Sequence, residues 1–293
     1  VGCPEVVVSQ VSKVVLVTGC SSGIGKATAI RLAKADKKVV ATARKVEALQ
    51  DCVAAGCAVV SLDVNDEASM TAAVAQIERE HGVVGALVNN AGYSQSGAVE
   101  SLPMDKLRRQ FETNVFGLVR MVQLCAPGMR AQGYGRIVNI GSMGGRFTLP
   151  GGGAYHATKW AVESLTDALR FELAGFGVDV VLIQPGIIRT GFAEAVSQQM
   201  APPSATPGPY DAFNGTVEKV TLEAYEKGPL GRYAGGDPDD VARVVETALD
   251  ADRPRTRYLV TPSAHVMVTL RGWMSDRMWD RFLAGTYPAP GRA

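Results

Sequence analysis

Histidine is scarce: three in 293 residues, His81, His156 and His265, none at metal-ligand spacing from another. No catalytic metal is expected from them. Cysteine is sparse and unpatterned: Cys3, Cys20, Cys52, Cys57 and Cys125 make an odd number with no Cys-x-x-Cys. A chain of this size needs no covalent staples, so they read as reduced thiols in a cytoplasmic protein. Charge of one sign is missing too. The formal net charge is +1 and no long basic run occurs, which argues against nucleic acid and against an anionic membrane surface as partners. No stretch approaches the ~18 apolar residues of a membrane span. Residues 1–10 lack a basic n-region, and Glu5 and Lys13 interrupt the apolar run, so no signal peptide is read there. No internal repeat is found. Core-forming residues, by contrast, are plentiful: 46% of the chain is hydrophobic, enough for one large domain spanning 1–293.

Strand-like apolar runs lie at 14–18, 38–42, 58–62, 86–89, 136–140, 178–184 and 258–260. Helical stretches at 65–81, 103–131 and 154–173 fall between them. Such alternation predicts an α/β fold, a doubly wound parallel sheet in three layers. One segment, 192–236, breaks the rhythm with the Pro-rich 201–209 and Gly228-Pro-Leu-Gly231. The expected division is a core at 13–190, a small substrate-covering lobe at 191–236 inserted after the sixth strand, and C-terminal helices and the last strand at 237–293. Ligands of open α/β sheets sit beyond the carboxyl ends of the strands, where this lobe departs. Its Phe192, Met200, Tyr210, Phe213 and Tyr225 either line an apolar pocket or pack the lobe itself; both readings are open. Asp237 is read as the N-cap of the helix that follows, with Pro238 in its first turn.

The β-branched run Val14-Val-Leu-Val-Thr18 leads into Gly19-Cys-Ser-Ser-Gly23-Ile-Gly25 and then a helical stretch from Lys26 to Lys34. Strand, glycine turn and helix in this order are the setting of a dinucleotide site. Glycines admit a tight turn and close approach of a pyrophosphate, and the helix N-terminus presents unpaired N–H groups and a positive dipole end. Cys20 is either a small filler or faces the ligand.

Tyr155 and Lys159 stand four residues apart, hence on one face of a helix. A phenol has a reference pKa of about 10, and an ammonium within roughly 4–6 Å lowers it. The pair reads as a proton donor and acceptor for an alcohol or ketone, although an exposed helix face shows the same spacing by chance. His156 points off that face and is read as structural.

The glycine turn, Asn89-Asn90-Ala91-Gly92, Asn114, Ser142, Tyr155-x-x-x-Lys159 and Pro185-Gly186 before Thr190 together resemble the short-chain dehydrogenase/reductase family, in order and interval, over about 13–195. Thr18-Gly-Cys-Ser-Ser-Gly-Ile-Gly25 and Ser142-Met-Gly-Gly-Arg146 are similar to its hydroxysteroid and retinol dehydrogenase-like members. The resemblance implies a Rossmann-type fold. It implies a nicotinamide cofactor held by Gly19, Ser21, Ser22, Gly23, Ile24, Gly25, Arg44, Asp63, Val64, Asn90, Ala91, Gly92, Tyr155, Lys159, Pro185, Gly186, Ile188 and Thr190. Tyr155 is then the general acid or base, and Ser142 holds the substrate oxygen. Lys159 lowers the Tyr155 pKa and binds the nicotinamide ribose, and Asn114 supports a water chain to Lys159. Homodimers or homotetramers through the helices at 103–131 and 154–173 are implied as well.

An NAD site usually ends its second strand in a carboxylate for the ribose 2′-hydroxyl. This chain has Ala43, then Arg44 and Lys45. A guanidinium suits a 2′-phosphate, so NADP is expected over NAD; surface charges opening a helix are the other reading. The overall expectation is a hydride-transferring enzyme for a bulky apolar alcohol or ketone. Competing readings are a sugar-nucleotide epimerase or dehydratase, whose glycine turn usually runs Gly-x-x-Gly-x-x-Gly, and a cofactor-binding sensor without turnover. At the C-terminus, residues 264–283 read as a helix with a candidate break at Gly272, with Leu270, Trp273, Met274, Arg277, Met278, Arg281 and Phe282 on one stripe. Core packing, a subunit contact, a flap over the substrate entrance and shallow membrane docking are its open roles.

Overall fold

A computed structural model describes residues 11–190, 208–227 and 233–291 of the chain. Its β1 (Val14–Val17), β2 (Val39–Ala43), β3 (Ala58–Ser61), β4 (Val84–Asn89), β5 (Gly135–Ile140), β6 (Val178–Pro185) and β7 (Arg257–Val260) form one sheet in the order β3-β2-β1-β4-β5-β6-β7. Every pairing is parallel. The strand order reverses between β1 and β4, the switch point at which such sheets hold ligands. The helices are α1 (Gly23–Lys34), α2 (Gln50–Ala54), α3 (Glu67–His81), α4 (Met104–Phe111), α5 (Gly117–Ala131), α6 (Gly153–Ala174), α7 (Asp211–Leu222), α8 (Pro238–Asp250), α9 (Pro262–Trp273) and α10 (Asp276–Ala284).

Alternate residues of one strand serve two cores. Val14 and Leu16 pack with Met70, Met121 and Val162 of α3, α5 and α6. Val15 and Val17 pack with Ala29, Leu32, Val241 and Val245 of α1 and α8. A strand covered on both faces must be apolar throughout, which is why these runs stand out in the sequence.

Three expectations are corrected and one is met. The stretch at 103–131 is not one α-helix: Glu112–Phe116 is a π-helical turn between α4 and α5. The helix read from 65 begins at Glu67, because the Asp66 carboxylate accepts the Ala68 and Ser69 N–H groups at 2.9 and 3.3 Å. Asp237 is the N-cap of α8, as expected; its carboxylate also pairs with Arg189 at 2.9 Å, and Asp240 reaches back to accept the Asp237 N–H at 2.9 Å. The C-terminal break falls at Met274 and Ser275, not Gly272, and Ser275 caps α10.

That last shift changes which face is buried. Of the predicted stripe, Trp273 is 86% exposed and Met278 and Phe282 are about half exposed. The residue that packs is Trp279, 5% exposed, which the stripe omits.

The lobe leaves and returns at one place. Ile188 bridges Gly236, the Gly236 N–H donates to Ile187 O (2.9 Å), and the Arg189 N–H donates to Gly236 O (2.8 Å). Phe213 and Val217 of α7 bury against Ala98, with Tyr210 alongside. Those lobe aromatics therefore pack; Phe192 and Met200 lie outside the described residues. Cys20, Cys52, Cys57 and Cys125 are free and buried, and Cys3 lies outside the described residues. Among the described residues, no helix is long and apolar enough to cross a membrane.

Candidate active site

The glycine turn is stapled to the end of β4. Thr18 Oγ1 accepts the N–H groups of Asn90 and Ala91, each at 3.0 Å. Asn90 Nδ2 donates to Thr18 O at 2.9 Å and to Gly19 O at 3.1 Å. The turn needs glycine for this contact as well as for any ligand. Gly19 has φ +72°, and a Cβ there would lie 2.9 Å from Ala91 Cα. A Cβ on Gly25 would lie 2.3 Å from Asn90 Nδ2 and 2.4 Å from Gly19 O. No acidic residue occupies the first turn of α1, and the Ser22 side chain makes no capping bond, so the positive end of the helix faces outward unneutralised. Cys20 is the filler: fully buried, its thiol donating to Val17 O at 3.2 Å, and burial pushes its pKa up.

A cleft of about 880 Å³ opens above this turn. Gly19, Ser21, Ser22, Gly23, Ile24, Arg44, Asp63, Val64, Asn90, Ala91, Gly92, Ser142, Tyr155, Lys159, Pro185, Gly186, Ile188 and Thr190 all line it. Of the expected site residues, Gly25 and Asn114 stand behind its wall. Tyr93, Gln95 and Arg109, which no motif singles out, line it too, and so does Tyr225, for which lining and packing were both open. Tyr225 comes from the π-helical turn Glu223–Lys227 that ends α7. Burial raises its phenol pKa, with neighbouring Tyr155 adding to the effect.

Tyr155 and Lys159 emerge from the first turns of α6 beside the end of β5. Ser142, just after β5, hydrogen-bonds the Tyr155 hydroxyl. Lys159 is buried; its Nζ donates to Ile140 O at 2.8 Å and lies 5.7 Å from the Tyr155 ring centroid. Burial lowers the Lys159 pKa from 10.5 to about 8. The Tyr155 pKa is raised by burial, and the Ser142 hydrogen bond offsets part of that rise. The Lys159 ammonium turns toward the Ile140 carbonyl, and Ser142 is the group hydrogen-bonded to the phenol.

Asn114 sits in the π turn, where the shifted backbone ladder re-aims its side chain inward. Its Oδ1 accepts the Tyr93 N–H at 3.1 Å, and its Nδ2 donates to Tyr93 O at 2.9 Å and Thr158 Oγ1 at 3.1 Å. It thus ties the β4 end to the α6 turn that carries Lys159. His156 is structural, as read. Its Nδ1 donates to Gly144 O at 2.8 Å, its Nε2 accepts the Leu149 N–H at 3.4 Å, and burial lowers its pKa.

Residues 13–201 match the short chain dehydrogenase family. The chain belongs to that family. The Escherichia coli protein "Uncharacterized oxidoreductase YbbO" is 32% identical over 93% of this chain and 94% of its own length. Human 17-beta-hydroxysteroid dehydrogenase type 1 is 36% identical over 85% of this chain and 77% of its own length. A short-chain dehydrogenase/reductase from Burkholderia phymatum, solved with NAD, superposes with a TM-score of 0.75 at 27% identity, covering 96% of this chain and 98% of that one. The closed form of a serine dehydrogenase with NADP+ superposes at 0.73 and 28% identity, over 85% of this chain and 94% of that one. This short-chain dehydrogenase is therefore an alcohol/ketone oxidoreductase using a nicotinamide cofactor.

Proposed function

We propose that this enzyme transfers hydride between NADPH or NADP+ and a bulky apolar ketone or secondary alcohol. The observation that carries the reading is the hydrogen-bonded Ser142–Tyr155 pair, set in the same cleft as the glycine turn. The cleft fits a dinucleotide: Gly19 and Gly23 present bare backbone, α1 offers an unneutralised N-terminus, and Asp63 and Val64 line the wall beyond β3. When bound, the nicotinamide supplies or accepts the hydride. Ser142 holds the substrate oxygen, and Tyr155 donates a proton to it in reduction and takes one in oxidation. Lys159 holds the nicotinamide ribose. Tyr155→Phe deletes only the exchanged proton. Turnover should fall by about 10³-fold or more, with the NADPH Kd within about twofold of wild type by fluorescence titration. Retained turnover refutes the assignment.

The preference for NADP rests on the end of β2. Ala43 stands where NAD sites place a carboxylate, and Arg44 lines the cleft beside it. Arg44→Asp should move the ratio of kcat/KM for NADP over NAD by at least about tenfold toward NAD, since it exchanges a phosphate-binding cation for a repelling carboxylate. An unmoved ratio refutes the 2′-phosphate contact. An apolar substrate is supported by Tyr93, Ile188 and Tyr225 in the lining, and by the steroid named in the human relative. Segment 191–236 is the substrate-covering lobe in this reading, with Tyr225 as its described contribution to the cleft. Four buried free thiols suit a reducing cytoplasm. Pairing of subunits through α5 and α6 belongs to the same reading.

A further inference from the structure

We propose that Trp279, on the C-terminal helix α10 and outside the cleft, is a positioning residue that holds Ser142 against Tyr155. This rests on the reading of Ser142 given above.

The contacts form a chain from surface to site. The Trp279 indole Nε1 donates to Thr148 O at 3.3 Å, and its ring meets Phe147 edge-on at 5.5 Å. Phe147 is fully buried and lies 6.3 Å from the His156 ring. His156 is wedged between two glycines: a Cβ on either Gly144 or Gly152 would come within 2.6 Å of its ring. It donates to Gly144 O, while the Gly144 N–H donates to Ser142 Oγ at 3.0 Å. The Tyr155 ring lies edge-on to the same imidazole at 5.7 Å.

Residues 142–149 rest on α6 along the close approach of Gly145 to Lys159 O and Glu163, and two rings brace them further. One is His156, on the helix that carries Tyr155; the other is Trp279, from a separate element. Trp279 is fixed from its outer side in turn, stacked on Phe282 at 5.3 Å and covered by the Arg271 guanidinium at 5.7 Å. It does not line the cleft, so whatever it does for turnover passes through residues 142–149. Two hydroxyls must share one substrate oxygen, and a misplacement of about 1 Å in such a site costs on the order of 10²-fold in rate. The α6 contacts fix the start of the segment, and the brace on Phe147 and Thr148 fixes its far end, so that both are held to that tolerance.

The test is a double-mutant cycle on kcat: wild type, Trp279→Ala, Ser142→Ala and the double variant. The assay uses saturating NADPH and either a 17-ketosteroid or a cyclic aliphatic ketone, whichever wild type turns over faster. Trp279→Ala should lower kcat about tenfold, with the NADPH Kd unchanged, because the glycine turn is untouched. Ser142→Ala should lower kcat further, and the double variant should be no slower than Ser142→Ala alone. The limb of the kcat–pH profile that reports Tyr155 should move to higher pH in Trp279→Ala, since the Ser142 hydrogen bond that lowers the phenol pKa is loosened. Trp279→Phe, which keeps a ring and loses the N–H, should fall between. If Trp279→Ala does not fold, Phe147→Leu takes its place in the cycle with the same expectations. Multiplicative losses in the double variant, an unmoved pH profile, or an unchanged kcat overturns the proposal. A Ser142→Ala enzyme with wild-type kcat overturns instead the reading of the site beneath it.

Discussion

Burial acts on the two titrating residues of the site in opposite directions. It makes the neutral form of each easier to keep, so the Tyr155 pKa rises while the Lys159 pKa falls to about 8. For Lys159 the stability consequence follows from proton counting. Between pH 8 and about 10.5 the unfolded chain holds the proton and the folded chain does not, so this residue's contribution to stability rises with pH across that window. Below pH 8 both states are charged, and the fold carries a constant penalty on the order of 3 kcal/mol. Lys159→Met should therefore be inactive yet melt higher than wild type at pH 7, by roughly 5 °C, with the gap closing by about pH 10. Thermal melts at pH 7, 8.5 and 10 check this. A lower Tm at every pH means the Ile140 contact outweighs the buried charge.

The β1–α1 turn shows at the level of an element how tightly this site is built. A Cβ at Gly25 meets the Asn90 amide and the Gly19 carbonyl, neither of which has room to retreat from β4. Gly25→Ala should cost at least about 3 kcal/mol in urea unfolding. A smaller loss means the turn and the β4 end separate easily. This staple was only half legible in the sequence. The turn and Asn90 were visible as motifs, but Thr18 gave no sign of accepting two backbone N–H groups, because a threonine closing a strand is unremarkable. The strands were legible because burial on both faces forces apolar runs. The π turn at Glu112–Phe116 was not: Glu-Thr-Asn-Val-Phe continues the helical pattern, and only tertiary contacts to Tyr93 and Thr158 show that Asn114 turns inward. Trp279 was missed because a two-residue break at Met274 and Ser275 rotates the phase of everything after it. Tyr225 was seen as an aromatic of the lobe, but whether it packs or faces the cleft depends on one irregular turn.

At the scale of the whole molecule, several large apolar side chains of the described residues stay exposed. Phe116, Trp160 and Phe171, on the π turn and α6, are 55%, 49% and 89% exposed. Under the subunit pairing proposed above, these side chains belong to the contact with a second copy of the chain. Trp160→Glu should convert the assembly to monomers in sedimentation at micromolar concentration; a wild-type chain already monomeric there refutes the contact. The joint at Arg189 and Gly236 has a different property. Arg189 and Gly236 are held side by side by backbone hydrogen bonds, and Arg189 also pairs with Asp237. Loop closure depends only weakly on length once the ends are fixed, about 0.6 kcal/mol for each doubling. The joint therefore insulates the sheet from whatever is threaded between its two ends. In the function proposed above, selection can then lengthen, shorten or replace that stretch, and change what the enzyme acts on, at little cost to the sheet that holds the cofactor.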